Sequence, residues 1–343
     1  MFKSYFRGAE RDALKNYFRL PSSAQTAVLF APISASGGVE TTITVDGKDY
    51  RVHTFLSSGT FEVTDLGTTD GSVDYLIVAG GGSGSPYLGA GGGAGGLLSN
   101  LVSGDSPHKV SVESFAITVG AGGSRATGEA TGNNGANSSA FTLVATGGGA
   151  GGRRDDTRGK NGGSGGGGGD TWPDDGPSIP GTGIVGQGFD GGAGHKDGTD
   201  SNMHLSGGGG GAGGPGFDGF ITTDSSDACD GGPGLLVNID GNGYYWAGGG
   251  GGSSFKFQDA GDGGIGGGGG GGHDGSSSTE FTPGVGGTGG MSPGIDGKFG
   301  RDTSDGGDAG ANTGSGGGGG AWNFVASGAG GSGIVIVRYP LTF

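Results

Sequence analysis

Uninterrupted glycine runs constrain the fold of this chain more than any other feature. Seven consecutive glycines occupy positions 266–272, and four further runs hold five glycines each. A glycine run offers no side chain to an apolar core, and glycine loses more backbone freedom on folding than any other residue. A chain with 97 glycines among 343 residues therefore either forms flexible tethers or packs main chain against main chain. The runs of five lie at 165–169, 207–211, 248–252 and 316–320.

The surroundings of the runs favour packing. Serine, lysine and glutamate do not dominate between them, the intervening segments are long and varied, and apolar segments flank the whole region; a flexible linker needs none of this. We expect a bundle of polyproline II helices, which have three residues per turn, a rise of about 3.1 Å and outward-pointing backbone groups. Interior helices should be pure glycine, and outer helices should be mixed, as at 188–194. Collagen is excluded, because only 12 prolines are present and no Gly-X-Y frame exists.

Four zones follow from the pattern along the chain, and the predicted fold class is mainly β and irregular. Residues 1–21 predict a short amphipathic helix, 22–79 a small β domain, 80–333 the glycine-rich polyproline II bundle with exposed loops, and 334–343 a closing strand. Because 334–339 and 75–79 are similar apolar runs, we expect them to pair and bracket the bundle. Strands are predicted at 27–33, 41–45, 50–55, 60–64 and 73–79, with a hairpin turn at Asp46-Gly47, and strand-like patterns recur at 110–119 and 139–145.

The predicted N-terminal helix carries an aromatic and apolar face that a short helix cannot bury by itself. We expect that face to dock on a partner protein or a sister chain, to pack on its own domain, or to touch a membrane. We favour attachment or homo-oligomerisation without membrane insertion. The residues concerned are Phe2, Phe6, Leu14, Tyr17 and Phe18.

Net charge limits the classes of partner that the chain can bind, and cysteine content limits its covalent cross-links. The formal net charge of −15 argues against binding to nucleic acid or anionic lipid, both of which require clustered lysine and arginine. The single cysteine, Cys229, excludes an intrachain disulfide framework. No apolar stretch of signal-peptide or membrane-spanning length is present, so we expect synthesis in the cytoplasm and release on lysis.

A series of motifs in fixed order resembles a known family. The series opens with the sequence YRVHTF at 50–55, SGTF at 58–61 and VDYLIVAGGG at 73–82, continues with ITVGAGG at 117–123 and ATGGG at 145–149, and closes with GSGIVIVRY at 331–339. It is similar to the glycine-rich domain common in phage tail fibre and adhesin proteins, over about residues 50–339. The resemblance implies a virion-associated or extracellular location and polyproline II helices, without specifying a part of the virion.

No catalytic, cofactor or metal site is expected. Gly-X-Gly-X-X-Gly matches arise in any glycine-rich tract, and none lies between a strand and a helix. His195 and His204 form the only loose histidine cluster, better explained by polar loops, and no acidic pair suggests a glycan-cleaving enzyme. Aspartate-rich turns lack EF-hand spacing, which leaves calcium binding open.

Binding through exposed loops is the expected function, because recognition concentrates on loops carried by a rigid scaffold. The candidate loops are 171–180, 195–206, 217–230, 255–262, 276–283 and 295–305. Trp172, Phe220, Phe281 and Phe299 either stack on a host glycan or outer-membrane protein, or cap the ends of helices. We therefore expect a non-enzymatic tail fibre or adhesin component at the virion surface or outside the cell. The alternatives are a self-assembling filament subunit or capsid decoration protein, and, less favoured, an ice-binding protein.

Overall fold

A computed structural model describes residues 29–171, 176–196, 204–219, 229–256, 258–275, 281–322 and 325–342. These residues are mainly β-strand and irregular segments, with one helix of four residues, α1 (Asn100–Ser103). The N-terminal helix predicted over 1–21 lies outside them. The strands are β1 (Ser34–Ser36), β2 (Val39–Val45), β3 (Lys48–Phe55), β4 (Gly59–Asp65), β5 (Ser72–Val78), β6 (Leu97–Ser99), β7 (His108–Lys109), β8 (Ser114–Ile117), β9 (Ser138–Ala140), β10 (Leu143–Ala145), β11 (Gly176–Pro177), β12 (His195–Lys196), β13 (His204–Leu205), β14 (Leu235–Val237), β15 (Tyr244–Trp246), β16 (Ser254–Phe255) and β17 (Ile334–Pro340).

The largest sheet joins the two ends of the glycine-rich region. Its strand order is β2-β3-β17-β5-β6, with β7 paired to β5, and every pairing is antiparallel. Strand β17 pairs with β5 so that Val335 lies opposite Ile77, which confirms the pairing predicted from sequence. The β2–β3 hairpin turns at Asp46 and Gly47, whose φ angles of 49° and 77° are both positive, as a two-residue type I′ turn requires.

Strand β17 is buried on both faces because two apolar cores cover it. Side chains alternate across a strand: Val335, Val337 and Tyr339 contribute to one core, and Ile334 and Ile336 to the other. The first core is closed by the sheet β1-β4-β8, and the second by the β14–β15 hairpin with the fully buried Trp246.

A buried ion pair ties the C-terminal strand to its surroundings. The Nε and Nη2 atoms of Arg338 lie 3.1 and 3.0 Å from Oδ2 of Asp74 on β5. Its Nη1 donates to the carbonyl oxygens of Asn238 and Ile239 at 3.1 and 3.3 Å. The guanidinium carbon lies 4.6 Å from the ring centre of Tyr50. Arg338 thus connects β17, β5, β3 and the segment after β14.

Glycine-rich segments bond to one another with a period of three residues. In the segment 91–96, the first and fourth amides donate to one neighbouring segment, the second and fifth to another, and the third and sixth to a third. A β-strand, by contrast, repeats every two residues and has neighbours on two sides. The acceptors are, in pairs, the carbonyl oxygens of Gly207 and Gly210, of Gly317 and Gly314, and of Gly149 and Thr146.

The same period recurs in the segment 316–321. Its six amides donate, again in pairs three residues apart, to three neighbouring segments. At each glycine from 316 to 319, an added Cβ would lie within 2.3 Å of a neighbouring segment's carbonyl oxygen, so a side chain there would displace backbone. The acceptors are the carbonyl oxygens of Gly248 and Gly251, of Gly82 and Ser85, and of Gly307 and Ser304.

Close main-chain contact explains why the interior is glycine. A Cβ atom built on Gly250 would lie 2.1 Å from the carbonyl oxygen of Gly317, and one on Gly316 would lie 1.9 Å from that of Gly92. Both distances are far below van der Waals contact, and the obstacle is backbone rather than a movable side chain. The bundle therefore tolerates no larger residue at these positions.

Outer segments carry side chains and are joined by aspartate and asparagine. Their carboxylate or amide oxygens accept amide hydrogens from the next outer segment, in place of a backbone carbonyl. Asp259 and Asp262, three residues apart, accept from Thr282 and Val285, both at 2.6 Å. Further acceptors are Asn134, Asn137, Asn161, Asp190, Asp218, Asp230, Asp296, Asp305 and Asp308.

Three sequence predictions of strands are wrong in detail. The strand predicted at 27–33 is replaced by β1 at Ser34–Ser36, since 29–33 are irregular. The pattern at 139–145 is a hairpin, β9–β10, reversed at Phe141 with φ 60°, and only Ser114–Ile117 of 110–119 is a strand. At 139–145 and 110–119, apolar alternation continues through a turn or bend of the chain. In the described ranges, no helix is long and apolar enough to cross a membrane.

Candidate recognition tip

Glycine runs connect the apolar core beside the sheet to a group of aromatic residues. Run 248–252 follows the core residues Trp246 and Ala247 and precedes Phe255. Run 316–320 precedes Trp322, and run 266–272 precedes His273. We call the group in which these runs end the aromatic tip; it comprises Tyr87, Arg154, His204, Phe255, His273, Phe281, Phe299 and Trp322.

Four rings of the tip form a continuous row. The imidazole of His204 meets the edge of Phe255 at a centroid distance of 5.4 Å, and Phe255 stacks on Trp322 at 4.8 Å with 25° between their planes. Trp322 contacts Tyr87 at 5.9 Å. Aromatic pairs at such distances stabilise one another beyond their buried area, so the contacts hold these partly or fully buried rings together at the ends of the runs.

Two cations border this row. The guanidinium carbon of Arg154 lies 5.1 Å from the Tyr87 ring centre and 5.9 Å from that of Trp322, and its Nη1 donates to the Tyr87 hydroxyl at 2.7 Å. The ammonium nitrogen of Lys256 lies 4.8 Å from the Phe255 ring centre. The tip thus combines aromatic faces with positive charge on a chain that is acidic overall.

A buried histidine lies beside the row, between two phenylalanines. The ring of His273 is parallel to Phe299 within 3° at 5.5 Å, and Phe281 lies at 6.3 Å. The amide of Gly275 donates to Nδ1 of His273 at 2.9 Å, which places the ring hydrogen on Nε2. Burial lowers the pKa of His273, opposed by the nearby carboxylate charges of Asp274 and Asp259. His273 is therefore neutral at pH 7.

A small sheet positions the tip. Strands β11-β12-β13-β16 are adjacent in that order, and single bridges continue from Ser254 to His273 and from His273 to Phe299. Behind it, Oδ2 of the buried Asp170 lies 3.0 Å from Nδ1 of the buried His204, so this carboxylate orients the imidazole.

The structure brings together five of the six loops predicted from sequence. The loops at 171–180, 195–206, 255–262, 276–283 and 295–305 each contribute a residue to the tip or its small sheet. The loop 217–230 is described only at 217–219 and 229–230.

The individual candidate residues have different outcomes. Phe281 and Phe299 converge on His273, although they are far apart in sequence. Trp172, Phe220 and the N-terminal residues Phe2, Phe6, Leu14, Tyr17 and Phe18 lie outside the described residues. Sequence reasoning missed Tyr87 and Arg154. It considered His204 only as part of a loose polar cluster, and it included Phe255 in loop 255–262 without giving the ring a role. The available signal was an aromatic or basic residue within a few positions of a glycine run.

Aspartates in the described ranges bond mainly to the backbone. Asp230, Asp305 and Asp308, which lie in the aspartate-rich turns, each accept an amide hydrogen through Oδ1. Within those ranges, no three histidine, cysteine or acidic side chains come together in a metal-binding arrangement. Cys229 is buried, and burial with neighbouring carboxylates raises its thiol pKa, which disfavours the nucleophilic thiolate form.

A groove lies beside β6. This groove of about 640 Å³ is mostly apolar, with Asp105 and Asp190 among its lining residues. Val185 and Phe189 at its border are 99% and 46% exposed. The groove contains none of the residues of the aromatic tip.

Comparison with known proteins identifies a family for most of the chain. Residues 56–340 match the family model described as a glycine-rich domain. A search of curated proteins finds no match.

Proposed function

This chain belongs to the glycine-rich domain family, and we propose that it is a non-enzymatic structural protein of a virion. In this proposal it is a tail fibre or adhesin-like component, located at the virion surface or outside the cell. The observation that carries the proposal is the arrangement of hydrogen-bonded glycine segments between a β-sheet and an aromatic tip. Such a scaffold holds loops of several chain segments together at one end.

We also propose that the glycine segments are polyproline II helices. Two features support this assignment: the three-residue period of the hydrogen bonds and the presence of three neighbours around one segment, as three residues per turn require. Measured φ and ψ angles near −75° and +145° at residues 91–96 are expected. Rapid amide exchange throughout 91–96 and 316–321 would contradict a bonded bundle.

The chemistry of the tip supports recognition. Phe299 is 40% exposed, and the adjoining aromatic faces suit stacking on a sugar ring or on aromatic side chains. Arg154 and Lys256 place positive charge beside these rings. The proposed partner is a glycan or an outer-membrane protein of a host surface.

Attachment to the particle is assigned to the N-terminal segment. Phe2, Phe6, Leu14, Tyr17 and Phe18 form the apolar pattern that docks on another virion protein or on sister chains. Deletion of residues 1–28 is expected to release the protein from particles while leaving its thermal unfolding midpoint unchanged. Unchanged retention of the truncated chain on particles would contradict this assignment.

Copurification tests the location. Particles purified from the producing culture are analysed by mass spectrometry and by immunogold labelling. The polypeptide is expected with tail proteins and at fibre ends. Its absence from particles overturns the proposal, and polymers of the isolated protein in negative stain would favour the filament alternative.

Binding tests the tip. The variants Phe299→Ala and Lys256→Ala are expected to weaken binding of the purified protein to host cells at least tenfold. Phe189→Ala is the matched control, because Phe189 is similarly exposed (46%) but lines the groove beside β6. Equal loss in all three variants, or in none, would contradict recognition by the tip.

A further inference from the structure

Within the part of the chain that the structure describes, one edge of the six-stranded sheet has no neighbouring strand. Strand β2 (Val39–Val45) is the terminal strand there, and its one described partner is β3. Among the described residues, no further backbone hydrogen bond involves positions 39–45. Five of its seven residues are exposed, and it contains neither proline nor lysine. Of the usual protections of an edge strand, β2 therefore has a single charged side chain, that of Glu40.

The backbone groups on this edge can be identified. The amide of Leu341 donates to the carbonyl of Asp49, which shows that Asp49 faces β17. Because antiparallel residues alternate in direction, Tyr50 and Val52 face β2. Their partners Ile43 and Thr41 then face β3, and the N–H and C=O groups of Glu40, Thr42 and Thr44 point outward.

The other edges are covered or short. The amide of Leu97 on β6 donates to the carbonyl of Gln187 at 3.0 Å, and Thr118, next to β8, exchanges two hydrogen bonds with Ser139. Strand β1 has three residues and an irregular register. Of the described edges, β2 is thus the long one without cover.

We propose that this edge pairs with the same edge of a second copy of the chain. The two β2 strands run antiparallel about a two-fold axis through Thr42. Position 42 is the centre of β2, so this register overlaps all seven residues of both strands. Each outward-facing residue then exchanges two hydrogen bonds with its opposite residue, and the six-stranded sheets become one continuous sheet.

The charges on the edge fit this register. Thr42 lies opposite Thr42, and Glu40, the single charged residue of β2, lies opposite Thr44. Glu40 is also 3.7 Å from Arg51 of its own copy. The Glu40 and Arg51 charges of the two copies therefore alternate in sign around the axis, and no like charges lie directly opposite each other, an arrangement that favours cross-strand pairing. Threonine pairs of this kind are themselves favourable.

Sedimentation of the full-length chain tests the dimer. The expected result is a reversible monomer–dimer equilibrium, with a dimer of twice 32.7 kDa. Thr42→Pro removes an outward N–H that makes no bond within its own sheet, and Thr42→Lys places two like charges at the axis. Each is expected to raise the dimer dissociation constant at least tenfold, whereas the control Thr42→Val leaves it unchanged.

Mixing two variants of opposite charge distinguishes loss of the dimer interface from misfolding of a variant chain. A mixture of Thr42→Lys and Thr42→Glu chains is expected to form a heterodimer, although each alone is monomeric. A monomeric wild type at all concentrations, a dimer unaffected by Thr42→Pro and Thr42→Lys, or failure of the mixture to associate overturns the proposal. Slow exchange of the Thr42 amide in a monomeric chain likewise overturns it, because another segment of the chain would then cover the edge.

Cysteine pairing tests the register. Thr42→Cys is expected to form an intermolecular disulfide on mild oxidation, because opposite residues of a hydrogen-bonded pair have Cα atoms about 5.5 Å apart. The buried Cys229 does not compete. Thr44→Cys is the control and should remain reduced; stronger cross-linking through position 44 than through 42 overturns the register. The dimer concerns the sheet and not the tip, so its failure leaves host recognition untouched.

Discussion

The amide nitrogen of Gly250 lies 2.9 Å from the carbonyl oxygen of Gly92, although the two glycines belong to different halves of the chain. Hydrogen bonds of this kind join the glycine-rich segments throughout the described residues. Segments distant in sequence contact each other through main-chain atoms, because neither has a side chain to keep them apart. Stability therefore depends on residues that look featureless in the sequence.

Gly250→Ala is expected to destabilise the protein strongly. The added Cβ would lie 2.1 Å from the carbonyl oxygen of Gly317, and overpacking against backbone costs about 3 kcal/mol of unfolding free energy. Urea unfolding measures the change. Gly59→Ala is the control, because a Cβ there meets Phe55 at 3.6 Å, an ordinary contact. Similar losses in both variants would contradict close main-chain packing.

Asp262→Ala is expected to loosen the outer layer locally. It removes the oxygen that accepts the Val285 amide at 2.6 Å, a loss of about 1 kcal/mol for one exposed hydrogen bond. Asp262→Asn keeps an oxygen acceptor and should retain most of the stability. Hydrogen exchange at Val285 reports the change: faster exchange in the alanine variant alone is expected, and unchanged exchange would exclude the bond.

Stability is expected to fall as the pH is lowered below 6.5. Burial lowers the pKa of His53 and of His273 in the folded protein. The unfolded chain, with histidine pKa values near 6.5, binds more protons than the folded chain as the pH falls through this range. Because proton uptake favours the unfolded state, the stabilisation is complete above pH 6.5 and is lost towards the folded pKa values.

NMR titration of the imidazole resonances checks this expectation. His53 should remain neutral below pH 6.5, with Nδ1 donating to the carbonyl of Gly37 at 2.8 Å and Nε2 accepting from the Tyr339 hydroxyl at 3.1 Å. A midpoint at or above 6.5 for both histidines, or an unfolding free energy that does not change between pH 7.5 and pH 5, would contradict it.

Asp74→Ala is expected to cost about 3 kcal/mol, because it leaves the buried Arg338 guanidinium without its carboxylate. Thermal unfolding measures the loss. Lys109→Ala, which breaks the exposed pair with Asp70, is the control and should have no measurable effect. If both variants unfold at the wild-type temperature, Arg338 does not hold β17 in place.

Much of the strand arrangement follows from local sequence. The apolar run at 334–339 and its counterpart at 75–79 predicted a central pair, and Asp46-Gly47 predicted the hairpin. Hydrophobic alternation gave a wrong prediction where the alternating pattern continues through a turn. At Phe141, a positive φ reverses the chain between β9 and β10, so the predicted single strand is a hairpin. Apolar alternation in a sequence indicates which residues are buried, but it does not show where a strand ends.

At the tip, Phe281 and Phe299 were identified as exposed-loop aromatics, but their common neighbour His273 was not. Nothing in the local sequence brings these three rings together, since each follows a different segment of the bundle. Tyr87 and Trp322 are likewise far apart in the sequence, although their rings are in contact in the structure. Their contacts depend on which glycine segments are adjacent.

The sequence by itself determined that the interior of the glycine-rich region is main chain, because only glycine allows segments to approach so closely. That aspartate and asparagine oxygens join its outer segments became visible only in the structure. Tertiary structure alone decided which segments are neighbours. A glycine run carries no side-chain information about its partners, so the order of the bundle depends on the lengths of the connections and on the apolar cores that join β17, β3 and β5.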